Sequence, residues 1–432
     1  MTPSDRGRTP GSRTAGTGAA IGRPPKVVGR VGVVRLNTGE DQALRAGRPW
    51  VYRSEIARLE GTPTTGDIVE VLDERGSFVA RGFYHERSVL AIRVLTRRRD
   101  EVVDAAFFAR RIQAAWDLRQ RLLVDATVCR VVFSEADGLP GLIADRLGDV
   151  MVVQSLVAGM DERLPELVDA LSRATGVDAF YERNDGAVRR LEGLEERVGA
   201  LRGHPPDRVL VEEGGVRLTI DLRRGQKTGH FLDQRENRSV FGRMVRSLLV
   251  EGAPEPVRIL DAFCHTGGFG LQALAAGAGE VTFLDSSATV LASALENSRA
   301  NGWEDSRVRL EEANAFDALR AHVREGRRFD AVVVDPPAFA RSRRRLDGAY
   351  RGYRDLNVHA LRLLRPGGLL CSCSCSQPVT EEMFERMLCD AAVDTGRQVR
   401  VLERRGAALD HPGLLGAEET RYLKCFLLQV VA

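Results

Sequence analysis

Predicted strands alternate with predicted helices through the carboxyl-terminal half of this chain, and this pattern constrains the fold more than any other feature of the sequence. The strand-like segments are short and apolar, and they lie at 257–262, 280–285, 308–312, 331–335 and 368–374. Segments with helical spacing of apolar residues lie at 268–276, 287–300 and 350–364. This alternation is typical of a doubly wound α/β sheet, which binds ligands beyond the carboxyl ends of its strands. We therefore expect a Rossmann-like domain over residues 201–432, with its site at those strand ends.

The region before this domain shows other patterns. A chain of 432 residues is long enough for two or three separate cores. Residues 30–97 contain four short alternating runs broken by Gly and Asp, which predict a small β-barrel. Residues 98–200 combine an amphipathic helix near 105–124 with further strands, which predicts a small central α+β domain. Residues 1–29 are rich in Gly, Pro, Thr, Ser and Arg without hydrophobic periodicity, so we expect a disordered basic tail.

Composition excludes several classes of protein. The formal net charge of +3 does not by itself indicate a nucleic-acid partner. The seven cysteines form no Cys-x-x-Cys pair, which argues against a disulfide framework or a zinc site and favours a reducing, cytoplasmic location. We find neither a signal-peptide core nor an apolar run long enough to cross a membrane. The chain has 63 basic residues, and its lysines are Lys26, Lys227 and Lys424.

The first strand of the carboxyl-terminal domain leads into a glycine-containing turn. It ends near Asp261 and is followed by Thr266-Gly-Gly-Phe269, where glycines let the backbone approach a ligand and a helix begins. The turn lacks the Gly-x-Gly-x-x-Gly pattern and a Walker lysine, so dinucleotide and NTP sites are weakly supported. The next strand ends at Asp285, a carboxylate that could accept hydrogen bonds from ribose hydroxyls.

Two later strand ends extend the predicted site. Asn314-Ala-Phe316 could bracket an adenine ring, although alone it would be a helix cap. Asp335-Pro336-Pro337 directs carbonyls and a carboxylate into the cleft, with Phe339 available for stacking. The four strand ends together favour an S-adenosylmethionine (SAM) site of the class I methyltransferase type over a generic nucleotide fold.

The run Cys371-Ser-Cys-Ser-Cys-Ser376 places three cysteines on one strand. Buried cysteines usually pack as small hydrophobes, and we expect this of Cys371 and Cys373. Three cysteines along one strand fit a tetrahedral metal poorly. Cys375 lies at the carboxyl end of the strand, where a thiolate could add to C6 of a pyrimidine and make C5 reactive towards a methyl donor. We therefore predict that Cys375 is a nucleophile.

In their order along the chain, these motifs resemble the RlmI family of 23S rRNA cytosine-5 methyltransferases. The resemblance runs along nearly the whole chain. In the amino-terminal domain it includes Arg48-Pro-Trp-Val-Tyr52 and Ala80-Arg-Gly-Phe-Tyr84, which look like the family's RNA-binding PUA domain. The other matching segments are Glu135–Arg146, Tyr181–Asp185, Lys227–Arg238, Thr266–Phe269, Asp335–Phe339, Arg351–Asn357, Ser374–Ser376 and Asp410–Pro412.

The resemblance implies a role for each matching residue. Cys375 would attack the cytosine and Asp335 would face the transferred methyl group. SAM would contact Asp335 and the other strand-end residues, which are Asp261, Phe263, Thr266, Gly267, Gly268, Phe269, Asp285, Ser286, Asn314, Ala315 and Phe316. Asn314 departs from the family's usual aspartate, and Pro337 stands where other RNA cytosine-5 methyltransferases often have a second cysteine. The acid or base that assists is therefore unassigned, with Asp335 as the one candidate.

Contacts with substrate are expected beside the Asp335 turn. The cationic and aromatic segment that follows favours phosphate contacts and stacking. The expected substrate-binding residues are Pro336, Pro337, Phe339, Arg341, Arg351 and Tyr353. The resemblance implies 23S rRNA as partner and a homodimer.

Other functions remain open from the sequence. An N-methyltransferase acting on guanine or adenine would use a similar Asp-Pro-Pro turn without needing Cys375. A uridine-5 methyltransferase would share the thiol. A non-catalytic RNA-binding assembly factor would keep the amino-terminal domain and a relic of the Rossmann-like domain.

Overall fold

The computed structural model describes residues 32–225, 228–249 and 255–431. The tail expected at 1–29 lies outside the described residues, as does Lys227. No helix among the described residues combines the length and the apolar character that crossing a membrane requires.

The amino-terminal domain is a six-stranded sheet in which the strands run in the order β2-β6-β5-β4-β1-β3. The four expected strands are present, and two further strands, β2 and β3, flank them. Alternation places Val34, Val69 and Val71 inside the domain. Its elements are β1 (Gly32–Leu36), α1 (Asp41–Arg45), β2 (Trp50–Tyr52), β3 (Ile56–Glu60), β4 (Ile68–Leu72), β5 (Phe78–Tyr84) and β6 (Leu90–Thr96).

A five-stranded sheet of order β11-β10-β9-β8-β7 forms the central region, with helices packed against it. Its first helix is capped by Asp104, which accepts a hydrogen bond from the backbone N–H of Phe107. That helix and α4 contact each other over the sheet. The elements are α2 (Ala105–Leu122), β7 (Val128–Phe133), β8 (Leu142–Leu147), β9 (Val150–Ser155), α3 (Ala158–Asp161), α4 (Leu164–Thr175), β10 (Ala179–Asn184), α5 (Ala187–Leu191) and β11 (Arg197–Arg202).

The carboxyl-terminal region contains a hairpin and the expected α/β sheet. The hairpin consists of β12 (Arg208–Glu213) and β13 (Val216–Asp221), and it precedes α6 (Arg235–Arg246). The elements that follow are β14 (Arg258–Ala262), α7 (Gly268–Ala276), β15 (Glu280–Asp285), α8 (Ala288–Ala300), β16 (Val308–Glu312), α9 (Ala315–Arg324), β17 (Phe329–Val334), α10 (Leu346–Leu363), β18 (Leu364–Ser374), α11 (Glu381–Thr395), β19 (Val399–Arg405) and β20 (Lys424–Val430).

Seven strands form this sheet in the order β16-β15-β14-β17-β18-β20-β19. The first five strands are parallel, whereas β20 is antiparallel to both of its neighbours. The strand order reverses between β14 and β17, which is where such sheets open a crevice for ligands. Because β20 runs the other way, its amino end lies at the same edge as the carboxyl ends of the parallel strands. This edge therefore carries the carboxyl ends of the five parallel strands and of β19, together with the amino end of β20.

Polar contacts hold the three regions together. Trp50 Nε1 donates a hydrogen bond of 2.9 Å to Glu135, joining the amino-terminal and central sheets. Arg119 donates to the backbone carbonyl of Asp410 at 2.8 Å, and Asp410 in turn accepts from the backbone N–H of Arg130 at 2.8 Å. These contacts tie the amino-terminal and central domains to the domain that carries the strand-end edge.

Candidate active site at the carboxyl edge of the sheet

The sequence-predicted residues line up along one edge of the sheet. Asp261 and Asp285 are the last or next-to-last residues of β14 and β15, and Asn314 follows β16 by two positions. Asp335 directly follows β17, and Cys375 directly follows β18. Since these strands are neighbours, the edge reads Asn314, Asp285, Asp261, Asp335, Cys375 in spatial order.

Asp261 is a buried carboxyl beneath the first turn of α7. Its side chain is 1% exposed, and Oδ2 accepts a hydrogen bond of 2.8 Å from the backbone N–H of Gly270. Burial raises the pKa of Asp261 to about 7, the Gly270 N–H opposes the shift, and the nearby Asp285 carboxylate adds to it. The carboxyl can therefore exchange a proton near neutral pH.

The turn between β14 and α7 is conformationally strained. Phe263 and His265 adopt positive φ angles of 62° and 49°, which residues with a Cβ rarely do. The backbone N–H of His265 donates to Asp285 Oδ2 at 3.1 Å, which fixes the turn to the end of the next strand. Backbone strain of this kind persists only where surrounding contacts hold it, and it concentrates at ligand sites.

Glycines of this turn are required by packing within the protein. Gly267 has a φ of 90°, and a Cβ at Gly270 would stand 2.3 Å from the ring of Phe283. A Cβ at Gly268 would stand 2.7 Å from Arg238 Cδ. Gly268 and Gly270 thus let α7 lie close to β15 and α6. This packing is a second reason for glycine here, besides the close approach of a ligand that the sequence led us to expect.

Asn314 caps α9. Its side-chain oxygen accepts from the backbone N–H of Phe316 at 3.0 Å, and the residue is exposed at the edge of the cleft. The ring of Phe316 lies 5.9 Å from that of Phe339, centroid to centroid. Asn314 and the aromatic pair Phe316 and Phe339 therefore form one wall of the cleft.

Asp335 is held by a residue that no strand-end pattern indicated. Gln234 Nε2 donates a hydrogen bond of 3.0 Å to Asp335 Oδ2. Desolvation raises the pKa of Asp335 well above its usual value, and negative charge at Asp233 and Asp261 adds to the rise, while the Gln234 bond opposes it. Asp335 therefore tends to hold a proton that an exposed aspartate would lose.

Cys375 differs from the other cysteines of its run. It is half-buried, and its Sγ lies 3.9 Å from the backbone oxygen of Pro336. Cys371 and Cys373 are fully buried, as expected, and Cys425 of β20 joins them so that the three sulfurs lie within 4.8 Å of one another. They belong to an apolar core cluster with valine and leucine side chains. Cys375 is the thiol of the run that faces the edge.

A buried hydroxyl network fixes the segment around Cys375. Tyr353 OH lies 3.0 Å from Ser374 Oγ and 2.9 Å from Ser376 Oγ, the residues on either side of Cys375. Ser376 Oγ also accepts from the backbone N–H of Ala340 at 3.1 Å. The network joins the Cys375 segment to the loop after Asp335.

The structure corrects the expected placement of Tyr353. Its side chain is 1% exposed and its ring packs 4.7 Å from that of Phe339, so it supports Phe339 from inside and leaves no face for a substrate. Pro336 is also buried, whereas Pro337, Arg341 and Arg351 are exposed.

A buried ion cluster underlies the cleft. Glu213 accepts two hydrogen bonds from Arg238, at 2.7 and 2.8 Å, and lies 2.9 Å from His230 Nε2. Burial raises the pKa of Glu213, but Arg238 and His230 outweigh it and lower the pKa to about 2. His230, Gln234 and Arg238 belong to the segment Lys227–Arg238 that matches the family, but the sequence indicated no role for any of them. Their shared position in the segment that leads into α6 and forms its first turn was the available indication.

Comparison with known proteins gives two domain assignments. A PUA-like domain model matches residues 34–97, and an S-adenosylmethionine-dependent methyltransferase model matches residues 135–416, more than half of the chain.

Curated relatives match over almost their whole length. A protein of Tolumonas auensis named ribosomal RNA large subunit methyltransferase I is 39% identical over 402 residues, which cover 92% of this chain and 99% of the relative. Proteins of the same name from Photobacterium profundum and Vibrio cholerae are each 40% identical, again over 92% of this chain and 99% of the relative.

Solved structures share the fold. A putative SAM-dependent methyltransferase from Streptococcus mutans superposes with a TM-score of 0.76 at 19% identity, covering 92% of this chain and all of that one. A putative methyltransferase solved in complex with SAH gives a TM-score of 0.77 at 19% identity and the same coverage.

Proposed function

Because this chain belongs to the S-adenosylmethionine-dependent methyltransferase family that includes ribosomal RNA large subunit methyltransferase I, we propose that it forms 5-methylcytosine in 23S rRNA through a covalent adduct of Cys375. The observation that carries the proposal is the position of Cys375. Its half-exposed thiol lies 3.9 Å from the Pro336 carbonyl, beside the Asp335 turn. An N-methyltransferase would need no nucleophile at that place.

The strand-end residues suit S-adenosylmethionine. Asp285 supplies a carboxylate for ribose hydroxyls, and the strained turn at 263–267 brings backbone groups to the cleft. Asn314 and Phe316 supply a polar cap and a ring for the adenine. When bound, the cofactor provides an electrophilic methyl group. We assign to it Asp261, Phe263, Thr266, Gly267, Gly268, Phe269, Asp285, Ser286, Asn314, Ala315, Phe316 and Asp335.

Cys375 activates the base. Its thiolate adds to C6 of the cytosine, and the C5–C6 double-bond electrons move towards C5, which becomes nucleophilic. Once C5 carries the methyl group, a base removes the C5 proton and the C6–S bond breaks, which returns the thiolate. Cys375 is half-buried and directly follows β18, at the edge of the sheet where the substrate would lie.

Asp335 acts as the acid in this proposal. Desolvation raises the pKa of Asp335 well above its usual value, which favours the protonated carboxyl. That proton can be donated to N3 of the cytosine as negative charge develops in the ring during thiolate addition, and N3 returns it to Asp335 when the C6–S bond breaks. Gln234 holds the carboxyl in place through its hydrogen bond of 3.0 Å.

The RNA contacts use two surfaces. The PUA-like domain provides the first, and the exposed segment after Phe339 the second. Arg341 and Arg351 are exposed, and no ion pair is found for either among the described residues, so both can meet phosphates. Pro337 and Phe339 lie next to the target base, whereas Pro336 and Tyr353 position the turn from inside.

Replacing Cys375 tests the proposal. We expect Cys375→Ala to abolish 5-methylcytosine formation in rRNA while SAM binding, followed by calorimetry, stays within a few-fold of wild type. Cys389→Ala is the matched control, because Cys389 is an exposed cysteine on α11 away from the strand ends. The product is identified by mass spectrometry of nuclease-digested rRNA. Unchanged methyl transfer by Cys375→Ala, or a methylated guanine, adenine or uridine as product, would overturn the proposal.

A further inference from the structure

Lys424 lies beside the segment that carries Cys375, at the edge of the sheet. It is the first residue of β20 and pairs in the antiparallel register with Ser374, the residue before Cys375. Its side chain is 5% exposed. The ammonium therefore comes from the one antiparallel strand whose amino end reaches the strand-end edge.

The partners of Lys424 carry no full negative charge. Nζ donates to the backbone oxygens of Ser376 and Tyr422, at 2.7 and 2.8 Å. Two of the three N–H donors of an ammonium are satisfied by these carbonyls. A buried lysine without a bonded carboxylate is unusual, because burial strongly favours the neutral amine.

Charged and titratable groups around Lys424 support proton exchange. Burial lowers the pKa of Lys424 to about 8, and this outweighs the opposite effects of Cys375 and of Glu381 at the start of α11. Burial raises the pKa of Tyr353 and of Tyr422, and the nearby Cys375 adds to the rise. Their hydroxyls therefore keep their protons. Of these three groups, Lys424 is the one whose pKa, lowered to about 8, leaves a fraction of neutral amine near neutral pH to accept a proton.

From this arrangement we propose that Lys424 activates Cys375: the neutral amine takes the proton of the thiol, and the resulting ammonium stabilises the thiolate until it attacks. The S–H bond breaks, an N–H bond forms, and no other reactant is needed. The inference rests on the proposed nucleophilic role of Cys375.

The residue type fits this task. The chain uses arginine at nearly all of its 63 basic positions, and Lys424 is the lysine among the described residues. An arginine at this place would stay protonated at every physiological pH, whereas a buried lysine can take up and release a proton. Lys424 therefore acts as a positioning and activating residue for the thiol, without having to touch the RNA.

Alkylation of Cys375 by iodoacetamide measures this effect directly, because the thiolate reacts and the thiol does not. The full-length chain carries Cys389→Ala so that the exposed thiol of α11 does not interfere, and modification of the Cys375 peptide is followed by mass spectrometry from pH 6 to 10. Two variants are compared, Lys424→Met and Lys424→Gln, of which the second keeps a donor for the Ser376 carbonyl. Thermal melting and SAM calorimetry identify the variants that remain folded.

We expect the midpoint of the alkylation profile to rise by about one pH unit or more in a folded variant, which corresponds to about a tenfold slower reaction at pH 7. If a folded Lys424 variant gave the same alkylation profile as the Cys389→Ala chain that keeps Lys424, the inference would be overturned. The measurement needs neither RNA nor methyl transfer. A failure to find 5-methylcytosine would therefore count against the proposed function, and coincident alkylation profiles against the role of Lys424.

Discussion

Gln234 donates a hydrogen bond of 3.0 Å to Asp335 across 101 positions of sequence. Its own orientation is fixed, because Asn237 donates to Gln234 Oε1 at 2.7 Å and leaves Nε2 facing the carboxyl. The segment just before α6 thus reaches under the Asp-Pro-Pro turn. Gln234 holds one oxygen of Asp335 while desolvation and neighbouring negative charge favour the protonated carboxyl.

The first prediction concerns the proton on Asp335. Its pKa is raised, so the acid form is present below that pKa and lost as the pH rises through it. Because the protonated form is the one that donates to the cytosine, kcat/KM should fall on the alkaline side. Asp335→Asn should lower kcat by about 100-fold and remove that part of the dependence. Steady-state kinetics from pH 6 to 10 check this, and an unchanged profile in Asp335→Asn would exclude an acid role.

Local sequence patterns predict the edge itself but not the contacts that cross it. Asp261, Asp285, Asp335 and Cys375 could be placed because each ends a strand, and parallel strands bring such ends together. Gln234 contacts Asp335, and Lys424 contacts the Cys375 segment, from distant parts of the chain. The spacing of residues in a single sequence does not predict such long-range contacts. Tyr353 shows the same limit: helical spacing gives it a face of α10, but only packing shows that this face is internal.

The second prediction concerns Tyr353. Tyr353→Phe removes the hydroxyl that joins Ser374 and Ser376, so the Cys375 segment should loosen, with a loss of about 1–3 kcal/mol in unfolding free energy. We expect kcat to fall about tenfold while KM for RNA stays unchanged, because the side chain is buried. Tyr350→Phe, on the same helix with its hydroxyl on Asp390, is the control. A higher KM with unchanged kcat would instead indicate direct contact with the substrate.

The third prediction concerns the buried Glu213 cluster. Glu213→Gln should lower the unfolding free energy by roughly 3–5 kcal/mol at pH 7, because it leaves Arg238 and His230 without their buried partner. The folded pKa of Glu213 is about 2, so the stabilisation it gives is present above about pH 4.5 and is lost as the pH falls towards 2.

The difference between wild type and Glu213→Gln should therefore shrink under acid, as denaturant titrations at pH 7, 5 and 3 would show. Glu212→Gln alters an exposed neighbour on the same strand and should change stability by less than about 0.5 kcal/mol. A pH-independent difference between wild type and Glu213→Gln would contradict the charge pairing.

The fourth prediction tests whether the close packing of α7 on β15, which requires glycine at position 270, shapes the cofactor site. A Cβ at Gly270 would meet the Phe283 ring at 2.3 Å and Val281 at 2.8 Å, so Gly270→Ala should push α7 away from β15 at a cost of about 1–3 kcal/mol. The shift also stretches the 2.8 Å bond from Gly270 N–H to Asp261, and we expect SAM affinity to fall about tenfold in calorimetry. Gly348→Ala is the matched control, because nothing lies within 4 Å of a Cβ there, and in helix α10 alanine should stabilise the protein by about 0.5–1 kcal/mol. If both variants bound SAM equally well, the close packing of α7 on β15 would have no part in shaping the cofactor site.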